Sequence, residues 1–142
     1  MFNSPRKVII HCSATPDEGD SIGADRIRKW HTDPPPEGRG WDDIGYHYVV
    51  RRSGVIEMGR KETKVGAHVK GHNQNSLGIC LVGTRRFTDM QYESLQPLLG
   101  AILQRHGLKI SDIYGHYEFD DGKECPSLDM TLVRKWAGIY DI

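Results

Sequence analysis

Hydrophobic positions in this chain fall into short continuous runs, typical of buried strands, and one long stretch with helical spacing. The runs within Arg6–Cys12 and Leu77–Val82 show no polar alternation, which predicts strands covered on both faces of a sheet. Phe87–His106 carries apolar residues at helical spacing, a capping box formed by Thr88 and Gln91, and a glycine stop signal at Gly107. Together these signals predict one long helix.

A hairpin is predicted between these two strand runs. Ser53–Gly54 has the composition of a two-residue turn and separates the apolar segments Tyr46–Arg52 and Val55–Gly59. If Tyr46–Arg52 is a regular strand, Tyr46 and Tyr48 share one of its faces.

The remaining segments complete an alternating pattern of strands and helices. Helices are predicted at Ile22–His31, with Ile22, Ile27 and Trp30 on one side, and at Met130–Ile139; a short strand is predicted at Ile110–Tyr114. The consecutive prolines of Thr32–Gly40 exclude regular structure and predict an exposed loop. Interleaved elements of this kind predict a single α/β domain over residues 1–142, with a central mixed sheet flanked by helices.

The amino-acid composition argues against several classes of function. The 142 residues include 19 basic and 19 acidic side chains, so no strong positive charge favours nucleic-acid binding, although Arg85–Arg86 is a local basic patch. The three cysteines show no disulfide framework spacing, and the first ten residues lack an apolar segment of signal-peptide length. We therefore expect synthesis in a reducing cytoplasm, free thiols, and no membrane-spanning segment.

The most informative candidate chemistry is a set of two histidines and one cysteine from three separate segments. His11 ends the first predicted strand, His116 follows the last one, and Cys125 lies in the polar segment after it. Two imidazoles and one thiolate form a zinc ligand set with one open position, which is typical of catalytic rather than structural zinc. The set predicts hydrolysis by a metal-activated water.

Other interpretations of these residues stay open. Each histidine taken alone is more often an ordinary half-buried side chain, and Cys125 could be a surface thiol. Cys12 could replace Cys125 as a ligand, although strand alternation points it away from His11 and favours a core position, as the apolar flanks of Cys80 also do. A thiol hydrolase using Cys125 and His116 would leave His11 without a role.

Two further groups have a possible role near the metal. Lys123, two residues before Cys125, could stabilise an oxyanion or be a solvated turn lysine. From the residues alone, Tyr46 is best explained as a packed aromatic. The polar segment Gly66–Ser76 could form a cleft wall with His68 and Asn73 facing a ligand, or be a loop that satisfies its own backbone.

Several longer segments carry a resemblance to a known family. The chain resembles the zinc-dependent N-acetylmuramoyl-L-alanine amidases of type two, in the branch of short phage lysozymes, or endolysins, which share their fold with the peptidoglycan recognition proteins. The matching segments cover nearly the whole chain in order: Val8–Thr15, Ile27–His31, Trp41–Arg60, Val65–Gly83 and Lys123–Asp129.

The resemblance assigns roles to the candidate residues. It implies that His11, His116 and Cys125 hold one zinc ion per chain. It also implies that Tyr46 and Lys123 are the catalytic pair, so that Tyr46 becomes a site residue instead of a packed aromatic.

The substrate-binding residues expected in the cleft are His68, Asn73 and Trp41. The proline-rich segment Thr32–Gly40 departs from the family pattern and affects the expected cleft rim near Trp41.

The implied function is cell-wall lysis. The family hydrolyses the amide bond between the lactyl group of N-acetylmuramic acid and L-alanine in peptidoglycan, and a monomeric endolysin made in the host cytoplasm would reach the wall after release. Neither a membrane nor a nucleic acid is an expected partner. Two alternatives remain: a non-catalytic peptidoglycan-binding module, which typically lacks the ligand cysteine, and a regulatory protein with a structural zinc that binds another protein.

Overall fold

A five-stranded sheet forms the centre of the computed structural model, which describes residues 2–138. In chain order the elements are β1 (Lys7–Cys12), α1 (Ala24–Thr32), β2 (Tyr48–Val50), β3 (Ile56–Met58), β4 (Ser76–Leu81), α2 (Asp89–His106), β5 (Ile113–Gly115) and α3 (Met130–Ala137). The strand order is β3-β2-β4-β1-β5, and all neighbours are parallel except β2 and β3. The predicted α/β fold with a mixed central sheet is confirmed.

The two faces of the sheet bury separate apolar cores because side chains alternate along each strand. Val8, Ile10 and Cys12 of β1 belong to the core that includes buried residues of α2 and α3. Cys80 of β4 belongs to the core on the α1 side. Both cysteines are therefore core residues, as predicted, and all three cysteines are free thiols.

The signals predicted for the two ends of α2, the capping box of Thr88 and Gln91 and the stop at Gly107, are confirmed. The Thr88 hydroxyl accepts the Gln91 N–H at 3.1 Å, and the Gln91 side-chain oxygen accepts the Thr88 N–H at 2.8 Å. Gly107 ends the helix with a φ of 63°, a conformation that glycine adopts without strain. The helix begins at Asp89 rather than Phe87 because Thr88 is its cap.

The hairpin differs from its prediction. The Arg51 N–H bonds to the Val55 carbonyl and the Gly54 N–H to the Arg51 carbonyl, so the loop has three residues instead of two, with Gly54 at a φ of 89°. Regular strand begins only at Tyr48. The prediction that Tyr46 and Tyr48 share a face is wrong, since Tyr46 packs on the α1 side and Tyr48 on the α2 side.

The boundaries of two other elements also shift. Ile110–Asp112 is a 3₁₀ turn, because the Asp112 carboxylate accepts the Lys109 N–H at 2.8 Å, so only Ile113–Gly115 is strand. Helix α1 starts at Ala24, whose N–H donates to Glu57 at 2.9 Å, and Trp30 is 39% exposed instead of packing with Ile27. Of the predicted Met130–Ile139 helix, Ile139 lies outside the described residues.

Two further findings concern the proline-rich loop and the search for a membrane-spanning helix. Residues 33–40 form a largely exposed loop without regular structure, as the prolines predict. Within residues 2–138, no helix has both the length and the apolar character that crossing a membrane requires.

Candidate active site

One cleft of about 640 Å³ opens where the carboxyl ends of β1 and β5 meet. Parallel strands end at the same edge of a sheet, and ligands of α/β proteins commonly bind there. All eight residues predicted for the site line this cleft: His11, Trp41, Tyr46, His68, Asn73, His116, Lys123 and Cys125.

Three side chains of the types that can bind a metal converge in the cleft. His11 is in β1 and only 1% exposed, His116 directly follows β5, and Cys125 lies on the loop that precedes α3. The Nδ1 atoms of His11 and His116 are 3.1 Å apart, and one ligand atom of each residue lies within 4.8 Å of the others.

Backbone packing holds the loop of Cys125 against the end of β5. The Tyr117 N–H donates to the Cys125 carbonyl at 2.8 Å. A side chain at Gly115 would meet Met130 Cγ at 2.7 Å and Pro126 Cδ at 3.2 Å, so glycine is required for this close approach. The residue before His116 therefore lets the Cys125 segment come close to His11 and His116.

The donor set fits a zinc ion. Two nitrogen ligands about 2.0–2.1 Å from a tetrahedral ion lie about 3.3 Å apart, close to the separation of the two imidazoles. Burial and the neighbouring imidazoles of His68 and His116 lower the pKa of His11 well below 6.5; burial and Lys123 lower that of His116. Both rings are thus neutral at neutral pH, the form that binds metals.

The thiol of Cys125 also fits this interpretation. A hydrogen bond with the Cys12 thiol and burial raise the pKa of Cys125, so its thiolate needs a nearby cation such as a metal. The Cys12 N–H donates to Cys125 Sγ at 2.7 Å, an interaction that stabilises a thiolate. Cys12 itself packs in the core and is outside the group of converging ligand atoms.

The predicted catalytic pair lies on two sides of this cluster. The Tyr46 ring centroid is 5.2 Å from that of His11, and burial raises the pKa of the Tyr46 phenol well above 10. Lys123 is exposed at the cleft and close enough to His116 to lower its pKa. A neutral phenol and an ammonium group both act as hydrogen-bond donors.

The predicted substrate-binding residues differ in the polar atoms that they leave available. Asn73 uses its side-chain oxygen to accept the N–H groups of His68 and Val69, at 2.7 and 2.8 Å. Both ring nitrogens of His68 have protein partners. Trp41 forms a cation–π contact with Arg39, whose Cζ lies 5.0 Å from the ring centroid.

His31 also lines the cleft, although the sequence did not predict it as a site residue. Its Nδ1 accepts the Gly45 N–H at 2.9 Å, its ring lies 4.9 Å from Trp41, and burial with Arg39 and Arg60 lowers its pKa to about 4. The only sequence signal was its place in the last turn of α1, just before the loop that leads to Trp41.

Comparisons with known proteins indicate the family of this chain. A family described as N-acetylmuramoyl-L-alanine amidase matches residues 1–128. The endolysin of Escherichia phage T7 is 37% identical over 137 residues, which cover 91% of this chain and 83% of the relative.

Two solved structures extend the likeness to three dimensions. N-acetylmuramoyl-L-alanine amidase LysC from Clostridium intestinale URNW has a TM-score of 0.75 and 28% identity, covering 87% of this chain and 77% of its own. Peptidoglycan recognition protein-LE, solved in complex with tracheal cytotoxin, has a TM-score of 0.79 and 25% identity, covering 100% and 87%. On the extent of the family match and the identity to its relatives, this chain belongs to the N-acetylmuramoyl-L-alanine amidase family.

Proposed function

We propose that this protein is a zinc-dependent N-acetylmuramoyl-L-alanine amidase that acts as an endolysin. It hydrolyses the amide bond between the lactyl group of N-acetylmuramic acid and L-alanine of the peptidoglycan stem peptide. The observation that carries this proposal is the convergence of His11, His116 and Cys125 in a cleft that also contains Tyr46 and Lys123. Family membership and the endolysin relatives support the same reaction.

In this proposal His11, His116 and Cys125 hold the zinc ion. A zinc ion with three protein ligands supplies an activated water at neutral pH and polarises a carbonyl oxygen. His11 would be the buried ligand, and the open cleft would give the stem peptide access to the site.

Lys123 and Tyr46 have the task of stabilising negative charge. Attack on the amide carbonyl places that charge on its oxygen, where an ammonium or a phenol can donate a hydrogen bond. Removing one such donor typically costs about 3 kcal/mol of transition-state stabilisation. The high pKa of Tyr46 keeps its phenol protonated and favours this donor role over that of a base.

The stem peptide and sugar would lie along the walls of the cleft. Trp41, in contact with Arg39, forms an aromatic part of the cleft lining, and the segment containing Asn73 forms another part. We expect a monomer to be active, since all these side chains come from one chain. As for its endolysin relatives, we propose synthesis in the host cytoplasm and action on the wall after release.

The test uses purified protein and isolated peptidoglycan sacculi. New free L-alanine amino termini should appear, disappear after chelation, and return when zinc is added back. Sacculus binding without release would contradict the enzyme and favour a binding module. Release that resists metal removal would contradict the zinc mechanism, and neither binding nor release would favour a regulatory protein.

A further inference from the structure

His11 is connected to Ser76 through the ring of His68. His11 Nε2 lies 2.9 Å from His68 Nδ1, and His68 Nε2 lies 3.2 Å from the Ser76 hydroxyl oxygen. The three side chains are buried, with exposed fractions of 1%, 9% and 0%. The chain of hydrogen bonds thus runs from the candidate zinc site into the protein interior.

The backbone around Ser76 determines the direction of these hydrogen bonds. The Ser76 hydroxyl lies 2.8 Å from the His72 carbonyl and 2.9 Å from the Asn73 carbonyl. Both carbonyls only accept, so the single hydroxyl hydrogen points toward them. Toward His68 the hydroxyl can then only accept, and the His68 Nε2 must carry a hydrogen.

The direction of the hydrogen bond at Ser76 also determines which ring nitrogen of His11 carries hydrogen. A neutral imidazole has one N–H and one lone pair, so a hydrogen on His68 Nε2 leaves its Nδ1 as the acceptor. His11 must then donate from Nε2 and keep its Nδ1 lone pair free. That Nδ1 is the atom facing His116 at 3.1 Å.

We propose that His68 is a positioning residue, which together with Ser76 fixes the tautomer and orientation of His11 for zinc binding. This inference rests on the proposed zinc function. It also gives His68 a different role from the substrate contact that the sequence predicts, because neither ring nitrogen remains available for substrate.

The surrounding backbone leaves the His68 ring little freedom. A side chain at Gly78 would meet the ring at 2.7 Å, and one at Gly66 would meet its Cδ2 at 2.8 Å. The Asn73 side chain accepts the His68 N–H and so holds the backbone of the same residue. Two glycines and one asparagine therefore define the space in which the ring sits.

The first test examines the unaltered, metal-free protein. Two-bond ¹H–¹⁵N correlation spectra report which ring nitrogen of each histidine carries hydrogen. We expect His11 and His68 both to be protonated at Nε2. Protonation at Nδ1 in either ring would overturn the proposal, whatever the activity of the protein.

The second test compares two substitutions of equal shape. His68→Leu removes the acceptor, whereas His68→Asn retains an oxygen near the position of Nδ1. We expect zinc affinity, measured by competition with a chelator, to fall about 10- to 100-fold in His68→Leu and to be largely restored in His68→Asn. His72→Leu, which removes an imidazole from the same segment but none from the relay, should bind zinc like the parent.

Amidase kinetics at saturating zinc then separate the two roles of His68. A positioning role predicts that the KM of His68→Leu stays near the parent value. Thermal unfolding checks that this variant is folded. Unchanged zinc affinity with a raised KM would overturn the proposal in favour of a substrate contact. Failure of the parent to cleave peptidoglycan would instead contradict the proposed function, while the tautomers would still test the relay.

Discussion

In the proposed function, Cys125 is the residue that distinguishes a catalytic zinc site from a non-catalytic peptidoglycan-binding cleft. We expect Cys125→Ser to lose zinc and amidase activity together, because a hydroxyl is a far weaker ligand at neutral pH than a thiolate. Metal analysis alongside activity on sacculi checks this prediction. Full zinc occupancy in an inactive variant would contradict Cys125 as a ligand.

Lys123 should behave differently, since it is proposed to act on the substrate and not on the metal. Lys123→Met is expected to retain zinc and to lower kcat about 10²- to 10³-fold, the usual effect of losing one oxyanion donor. Lys109→Met, an exposed substitution outside the cleft, is the matched control and should keep parental turnover. Activity retained in Lys123→Met would remove this lysine from the mechanism.

Residue chemistry alone could predict part of the site. The types and order of His11, His116 and Cys125 were enough to suggest an open zinc site, because few other roles combine them. Tyr46 needed the family resemblance, since a buried phenol has the same sequence signal whether it packs or reacts. His31 was missed because its contacts with Gly45 and Trp41 form only when α1 meets the following loop.

At the scale of elements, Gln91 connects α2 with the sheet. Besides capping the helix, its fully buried amide donates to the Val50 carbonyl at 3.1 Å and to the Val82 carbonyl at 2.9 Å. The capping box could be predicted from the sequence because its two residues are three positions apart. The contacts with Val50 of β2 and with Val82, directly after β4, could not, since these partners are 41 and 9 residues away.

These contacts make a stability prediction. Gln91→Leu should lower the free energy of unfolding by about 1–3 kcal/mol, because buried polar groups lose their partners. Urea unfolding measures the difference, and Glu93→Ala on the exposed side of α2 is the control, with a change within about 0.5 kcal/mol. Equal effects of both substitutions would show that the buried amide contributes little.

For the whole molecule, the alternation of apolar runs predicted the α/β class, but not the strand order or the exact turns. Parallel pairing of β1 with both β4 and β5 depends on long-range packing, and this pairing brings His11 to His116. The mistaken hairpin and last strand both lie where side chains or backbone groups form local turns, at Gly54 and Asp112.

Buried neutral histidines predict how stability changes with pH in the metal-free protein. Burial is the main cause that lowers the pKa of His31 to about 4 and that of His68 to about 3, and it also lowers that of His47. Below about pH 6.5 the unfolded chain binds protons that the folded protein excludes. The free energy of unfolding should therefore fall as pH decreases from about 6.5 to 4.

A series of urea unfolding curves from pH 7 to 4.5 checks whether the free energy of unfolding falls on acidification. Each such histidine contributes a slope of up to about 1.4 kcal/mol per pH unit. His31→Asn, which keeps an acceptor near Nδ1 but cannot titrate, should show a smaller slope than the parent. Stability that is flat or rises on acidification would contradict neutral burial of these rings.

The proposed site of His11, His116 and Cys125 should cleave one defined amide bond. Mass spectrometry of a synthetic N-acetylmuramoyl peptide incubated with the zinc-loaded protein tests this cleavage. We predict two products, intact N-acetylmuramic acid and a peptide that begins with free L-alanine, and none from the metal-free protein. Cleavage within the peptide, or an intact substrate with zinc bound, would contradict it.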